Sequence, residues 1–410
     1  MKKAVFQIFR SVAILMFATS ACLAQWTSST AASTGTMTSI ASIGSKLFAA
    51  RSLPTGGGGV FVSTNAGSSW TSASSGMGVV RVQALAVIDT FLFAGADSGV
   101  YVSATGGASW TAAKTGLTSP YTTALFANGT TLFAGTYGGV FRSTDNGAHW
   151  TAVNTGLTNT GVHAFAAHGT NLFAGTDGGV FVSGNNGGTW TAVTTGLTGL
   201  AMRTMLVVGN NIFAGTFSTG VFRSTNDGAT WSLVNTGLGS YDYVYALAAT
   251  GTNLFLATSG GGVYFSADTG SHWGQINTGL PSYLYSVAVI GSYVYAGDDG
   301  GAVWRRPLTQ IITAVEEPAG GIPARFALNQ NYPNPFNPTT VIQFSVGTYG
   351  HTSLRIFDIL GRSVATLVDG HVAAGTHEVH WNAANVPSGI YFCRLTSGSF
   401  SATRTLLLLK

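Results

Sequence analysis

The chain has 410 residues, of which 8% are charged against about 25% in an average soluble domain, and 56 are glycine. Three of its positive charges lie in the first ten residues, and residues 25–307 hold nine basic and nine acidic side chains. The formal net charge of +4 therefore supports no binding to nucleic acid or to an anionic membrane, because the middle of the chain is neutral.

In chain order, residues 1–24 read as a secretory signal. Lys2, Lys3 and Arg10 supply the basic start, residues 11–18 the apolar middle, and Cys22-Leu23-Ala24 a small-residue cleavage site. A lipid-modified Cys22 is the alternative. The apolar run is too short to cross about 30 Å of hydrocarbon, so no integral membrane span is expected. Only Cys393 survives cleavage. An exported protein with one cysteine has no disulfide within its chain and rests on packing.

Residues 25–307 are a repeat array. An octet of the form S-x-[DNT]-x-G-x-x-W ends at Trp70, Trp110, Trp150, Trp190, Trp231 and Trp273, with spacings of 40, 40, 40, 41 and 42. A period near 40 with no helical pattern points to propeller blades of four short strands. In the third repeat these are Thr122–Ala127, Thr131–Gly135, Gly139–Ser143 and 150–153, with Asn128-Gly129 as a hairpin turn. The second-strand marker occurs seven times, starting near Leu47, Leu92, Leu132, Leu172, Ile212, Leu254 and Val294. The seventh repeat lacks an octet and a fourth strand, whereas the chain opens on Gln25-Trp26-Thr27, a fourth-strand start without a blade. Joining these ends predicts a closed seven-bladed β-propeller with no free edge.

Within the octet, Asp145 or its Asn counterpart is expected to accept from N–H groups two residues on, and Gly147 to supply positive φ. Trp150 is expected to bury its ring against the sheet. The octet resembles the Asp-box of sialidase-like (BNR) propellers, in which the box is a peripheral structural hairpin. That resemblance implies the fold and not an activity.

No catalytic set is visible. Sugar hydrolysis needs two opposed carboxyls, and residues 25–307 contain no Glu. Asp97, Asp177, Asp298 and Asp299 fall in loops between second and third strands, where two of them can be imagined facing each other. No zinc-like His/Cys spacing or nucleophile elbow is present, so no metal, cofactor or catalytic residue is assigned. The repeats disagree most at the start of the first strand, which carries Arg81 with Gln83, Tyr121, His163, Arg203, Tyr243 with Tyr245, and Tyr283 with Tyr285. Arg81, Tyr121, His163, Arg203, Tyr243, Tyr283 and Tyr285 are the candidate binding residues near the central channel, with packing between blades as their other role.

Residues 308–325 read as a linker. Residues 326–410 open on a Pro/Asn arm, Leu328–Pro338, and continue as short alternating strands near 340–346, 353–358, 363–368, 375–381, 389–396 and 402–409, a small Ig-like β-sandwich. Asn331–Pro338 (NYPNPFNP), Thr340–Phe344 (TVIQF), Ile356–Arg362 (IFDILGR), Gly375-Thr376-His377, Val386–Phe392 (VPSGIYF) and the terminal TLLLLK closely resemble the type A C-terminal sorting domain of the type IX secretion system. The resemblance implies that residues 326–410 engage the type IX machinery and that the protein is secreted or displayed at the outer surface.

The fold class expected is all-β. The expected function is a non-catalytic exported binding module for a glycan, peptide or partner protein. The alternatives are a polysaccharide-acting glycoside hydrolase of the Asp-box type, and a scaffold resembling the propeller of photosystem II assembly factors, which share the G-V-F-x-S-x-x-x-G-x-x-W pattern.

Overall fold

The computed structural model describes residues 25–312 and 327–410, apart from 32–33, 55–56, 241–242, 347–349, 373–374 and 399. The signal expected at 1–24 lies outside the described residues. The chain divides into two compact units at Ile312/Thr313.

The N-terminal unit is a seven-bladed propeller of four-stranded antiparallel sheets. Six blades are continuous in sequence. The seventh takes its inner three strands from Leu284–Ile290, Tyr293–Asp298 and Ala302–Pro307, and its outermost from Thr27–Thr30. That closing strand runs antiparallel to the third, with Thr27 opposite Arg305 and Thr30 opposite Ala302. Ring closure thus gives the seventh blade the same four strands as the others and pairs its third strand on both sides.

Each hairpin between first and second strands turns on two residues. In the third blade Asn128 pairs with Thr131, so the central pair is Gly129-Thr130 and not Asn128-Gly129. Gly129 sits at φ +59°, and Asp89 takes the same left-handed place in the second blade at +52°. The left-handed conformation falls on the first central residue, which is why Gly sits one place later than expected.

The octet also departs from expectation. Asp145 Oδ1 accepts from the N–H of His149, four residues on and not two, at 2.9 Å, while the Ser143 hydroxyl accepts from Gly147 N at 2.9 Å and donates to Asp145 at 2.8 Å. Two acceptors side by side wind the chain through a tighter loop, with both Asn146 and Gly147 at positive φ. The His149 N–H first, then the His149 ring and the Ser143 hydroxyl, hold the Asp145 carboxyl down to about 2.

The tryptophans do more than cover their own sheets. Trp150 Nε1 donates 2.8 Å to the carbonyl of Ala113, in the preceding blade, and its backbone N–H reaches Thr115 O at 2.8 Å. Trp110, Trp190, Trp231 and Trp273 repeat this reach to Ala73, Val153, Val193 and Val234. Across the seam, Trp26 donates to Ile276 O at 2.6 Å, and Trp70 donates to the Ser29 hydroxyl at 2.9 Å. The apolar clusters accordingly sit between blades: Phe133, Val140 and Leu157 of the third pack with Phe165, Leu172 and Trp190 of the fourth. Five glycines, Gly76, Gly116, Gly156, Gly196 and Gly237, are dictated by this contact. A Cβ on Gly116 would meet Trp150 O at 2.2 Å.

Residues 309–312, expected to be linker, form a short helix, and Ile311 is buried with Trp26, Leu284 and Val294 at the seam. The propeller unit therefore extends to Ile312.

The C-terminal unit pairs a three-stranded sheet (Ala327–Leu328, Thr339–Val346, Gly375–Asn382) with a four-stranded one ordered Ser363–Val372, Gly350–Phe357, Gly389–Ser397 and Phe400–Leu408. Its core includes Phe336, Ile342, Phe344, Ile356, Trp381, Tyr391, Cys393 and Leu406.

Candidate functional site at the channel mouth

Every innermost strand of the propeller carries a register shift near its start, which leaves one residue unpaired: Thr38, Gln83, Thr123, His163, Arg203, Tyr245 and Tyr285. A bulge re-aims the side chain of its extra residue. All seven of these residues line a cavity of about 660 Å³. Beneath them Leu85, Leu125, Phe165, Met205 and Leu247 form an apolar floor, so the cavity is a bowl with a polar wall.

The wall is uneven. Thr38, Gln83 and Thr123 give uncharged polar groups, His163 and Arg203 an imidazole beside a guanidinium, and Tyr245 and Tyr285 an aromatic pair with ring centres 4.6 Å apart. Arg203 donates to Asp177 at 3.0 Å and to its neighbour's carbonyl, Met202 O, at 2.9 Å, and lies 4.9 Å from the Phe217 ring centre. His163 Nε2 is 3.0 Å from the same Asp177 oxygen but out of line for a hydrogen bond. Burial lowers the His163 imidazole, outweighing the nearby carboxylate. Burial works to raise the Asp177 carboxyl, but His163 and Arg203 together bring it down. Gln83 donates to the Ser52 hydroxyl at 3.2 Å.

Of the seven residues singled out from sequence, Tyr121, His163, Arg203 and Tyr285 line the bowl. Arg81, Tyr243 and Tyr283 stand two residues before the bulges, on the rim. Arg81 pairs with Asp97 at 3.1 Å and lies 5.7 Å from the Tyr121 ring centre, while Tyr243 packs on Phe217 at 5.1 Å. Tyr243 and Tyr283 are exposed.

Sequence reasoning missed Tyr137 and Phe217, both exposed at the rim. Tyr137 packs between Tyr121 (5.3 Å) and His163 (5.8 Å). The signal lies in the loop after the second strand, which varies from blade to blade and carries rings as well as acids.

Three of those four aspartates are tied to partners. Asp97 and Asp177 are held by arginines of the mouth. Asp298 is buried and accepts from Gly300 N, Ala302 N and Trp304 Nε1, so it pins its own loop and does not face the channel. Among the described residues no group of three His, Cys, Asp or Glu side chains is placed to hold a metal ion, and no helix is long and apolar enough to cross a membrane.

Comparison with known proteins separates the two units. Residues 330–408 match the family described as the secretion system C-terminal sorting domain. The C-terminal unit is a type IX sorting domain. It directs secretion to the cell surface or beyond. In the sorting domain, the NYPNPFNP arm lies along the last strand: Phe336 N–H donates to Leu407 O and Leu409 N–H to Phe336 O, both at 3.0 Å. Asn331 is buried and donates to Pro333 O and the Thr340 hydroxyl. Cys393, expected to be a small buried apolar group, is buried in the core, and burial pushes its thiol up to about 12.

The propeller is similar in fold to several solved structures. YCF48 bound to D1 peptide is 15% identical with a TM-score of 0.58, covering 69% of this chain and 96% of that one. The GH74 xyloglucanase from Xanthomonas campestris is 16% identical with a TM-score of 0.53, covering 78% and 59%. The WD40 propeller domain of Doa1 is 11% identical with a TM-score of 0.52, covering 68% and 96%. No curated protein sequence matches the chain significantly.

Proposed function

We propose that the propeller is an exported binding module that seats a glycan or peptide segment in the bowl at its channel mouth without changing it chemically. The bulge ring carries this reading. Seven unpaired positions turn their side chains into one cavity, and these are positions where the repeats differ, as a recognition surface requires. Exposed rings beside paired charges suit a ligand with flat apolar faces and polar edges. The arginine-held carboxylates of Asp97 and Asp177 and the enclosed one of Asp298 weigh against a hydrolase, which needs two opposed carboxyls.

Fold likeness brings both a peptide-bound propeller and a xyloglucanase into view, so both ligand classes belong in the test. The mature chain, residues 25–410, is screened on a glycan array and a peptide array, alongside Gln83→Ala and Tyr285→Ala. Binding on either array that weakens tenfold or more in both variants is the expected outcome. Absence of binding on both arrays, or binding that the variants leave unchanged, sinks the reading.

A further inference from the structure

We propose that the sorting domain is captured through a rigid apolar knob, Ile359-Leu360, which inserts into an apolar pocket of the export machinery. The inference rests on the sorting-domain assignment and is independent of what the propeller binds.

The knob is the tip of the turn between strands Gly350–Phe357 and Ser363–Val372, and an unusual number of bonds fix it. Asp358 N–H donates to Arg362 O and Gly361 N–H to Asp358 O, both at 3.0 Å. Asp358 Oδ1 accepts from Leu360 N and Arg362 N at 2.9 Å, and Oδ2 from Arg362 Nε at 2.7 Å. Gly361 takes φ +77°. A turn locked from both backbone and side chain holds its two remaining side chains in fixed directions. Those side chains are Ile359 and Leu360, 71% and 73% exposed, and neither belongs to the core cluster. A surface turn normally carries polar residues, so two large apolar groups on a fixed turn call for a partner.

The surroundings extend the patch. The strand pair Gly389–Leu408 runs past the Phe357–Phe392 pair, bringing the end of the last two strands beside this turn. Ile390 and Leu409 are exposed there, whereas Tyr332, 82% exposed, lies four residues further back along the arm, opposite Val341, and is not part of the patch. Among the described residues of the sorting domain these five are all of its strongly exposed large apolar side chains.

The size of the patch selects its occupant. A buried aliphatic side chain worth about 1.5–3 kcal/mol corresponds to roughly 60–120 Å². The four such groups at this end, half to about three-quarters exposed, offer on the order of 200 Å². A stable dimer needs about 800 Å² per partner, so a second copy is a poor match. A delivery signal must be held and then released, and a small, rigid contact in a pocket suits that use.

The test uses the full chain expressed in a host with type IX machinery. Ile359→Ser with Leu360→Ser removes the apolar surface while leaving the Asp358 bonds. We expect a tenfold or greater drop in exported protein, with the chain retained in the periplasm and the melting temperature of the purified variant unchanged. The conservative pair Ile359→Leu and Leu360→Ile restores export. Asp358→Ala, which keeps the knob and frees the turn, gives an intermediate loss. Wild-type export of the Ser pair overturns the proposal. So does a wild-type dimer that the Ser pair converts to monomer with export unchanged, since the patch would then serve self-association.

Discussion

The tryptophan belt and the bulge ring come from the same seven repeats, yet one is nearly invariant and the other differs at almost every blade. In the belt each Trp binds the blade before it, so a change at one position would break a contact shared by two blades. In the ring the bulge residues line a shared cavity, and side chains as different as Thr38, Arg203 and Tyr285 fit the same backbone, although the Thr38 and Thr123 hydroxyls also donate to Val82 O and Val162 O of the next blade. Uniformity thus marks where blades hold one another, and diversity marks where the molecule is free to recognise something else.

The largest expected effects lie in the belt. Trp150→Ala should cost about 3–5 kcal/mol, read from denaturant midpoints. Trp26→Ala should cost the same if the seam is a true blade junction. A cost below about 1 kcal/mol at Trp26 would mean that the ring does not depend on its closing strand. Next in size, Ser143→Ala leaves Gly147 N–H without its acceptor and should cost about 1–3 kcal/mol.

Acid separates the two regions by pH window. The neutral, buried His163 has a pKa below the roughly 6.5 of the unfolded chain. The unfolded chain therefore binds the extra proton first, and stability falls as pH drops below about 6.5. His163→Gln should flatten that fall between pH 7.5 and 5.5. The Asp145 carboxyl is depressed, so its contribution is present above about 3.8 and is lost as pH falls toward about 2. Asp145→Asn should leave the pH 7.5 to 5.5 slope untouched, which parallel urea melts would check. Smallest of all, Tyr283→Ala on the exposed rim should shift stability by no more than about 0.5 kcal/mol. A larger loss would place its ring between blades.

The blade count was legible because the octet repeats at a fixed interval, and the seam because Trp26 matched a fourth-strand start with no blade. What the octet does to its neighbour was not legible: the reach from Trp150 to Ala113 spans 37 residues and depends on how blades stack. The bulges were hidden for a related reason. A register slip of one residue is a property of two paired strands, so sequence marked Tyr121 and Tyr243 as readily as Arg203 and Tyr285, although only the latter two are bulged. Tyr137 and Phe217 were hidden because packing on Tyr121, His163 and Tyr243, which the folded blades bring together, is what sets their rings at the rim.

The strand that closes the propeller pairs Thr27 with Arg305, residues 278 apart in sequence. A contact of such separation forms late, since the chain between must be gathered first. Six blades can stack while the seventh waits for both ends of the unit to meet. Until those ends meet, the strand Ala302–Pro307 has one unpaired edge, and that edge is the place where a second copy of the chain could pair in its stead.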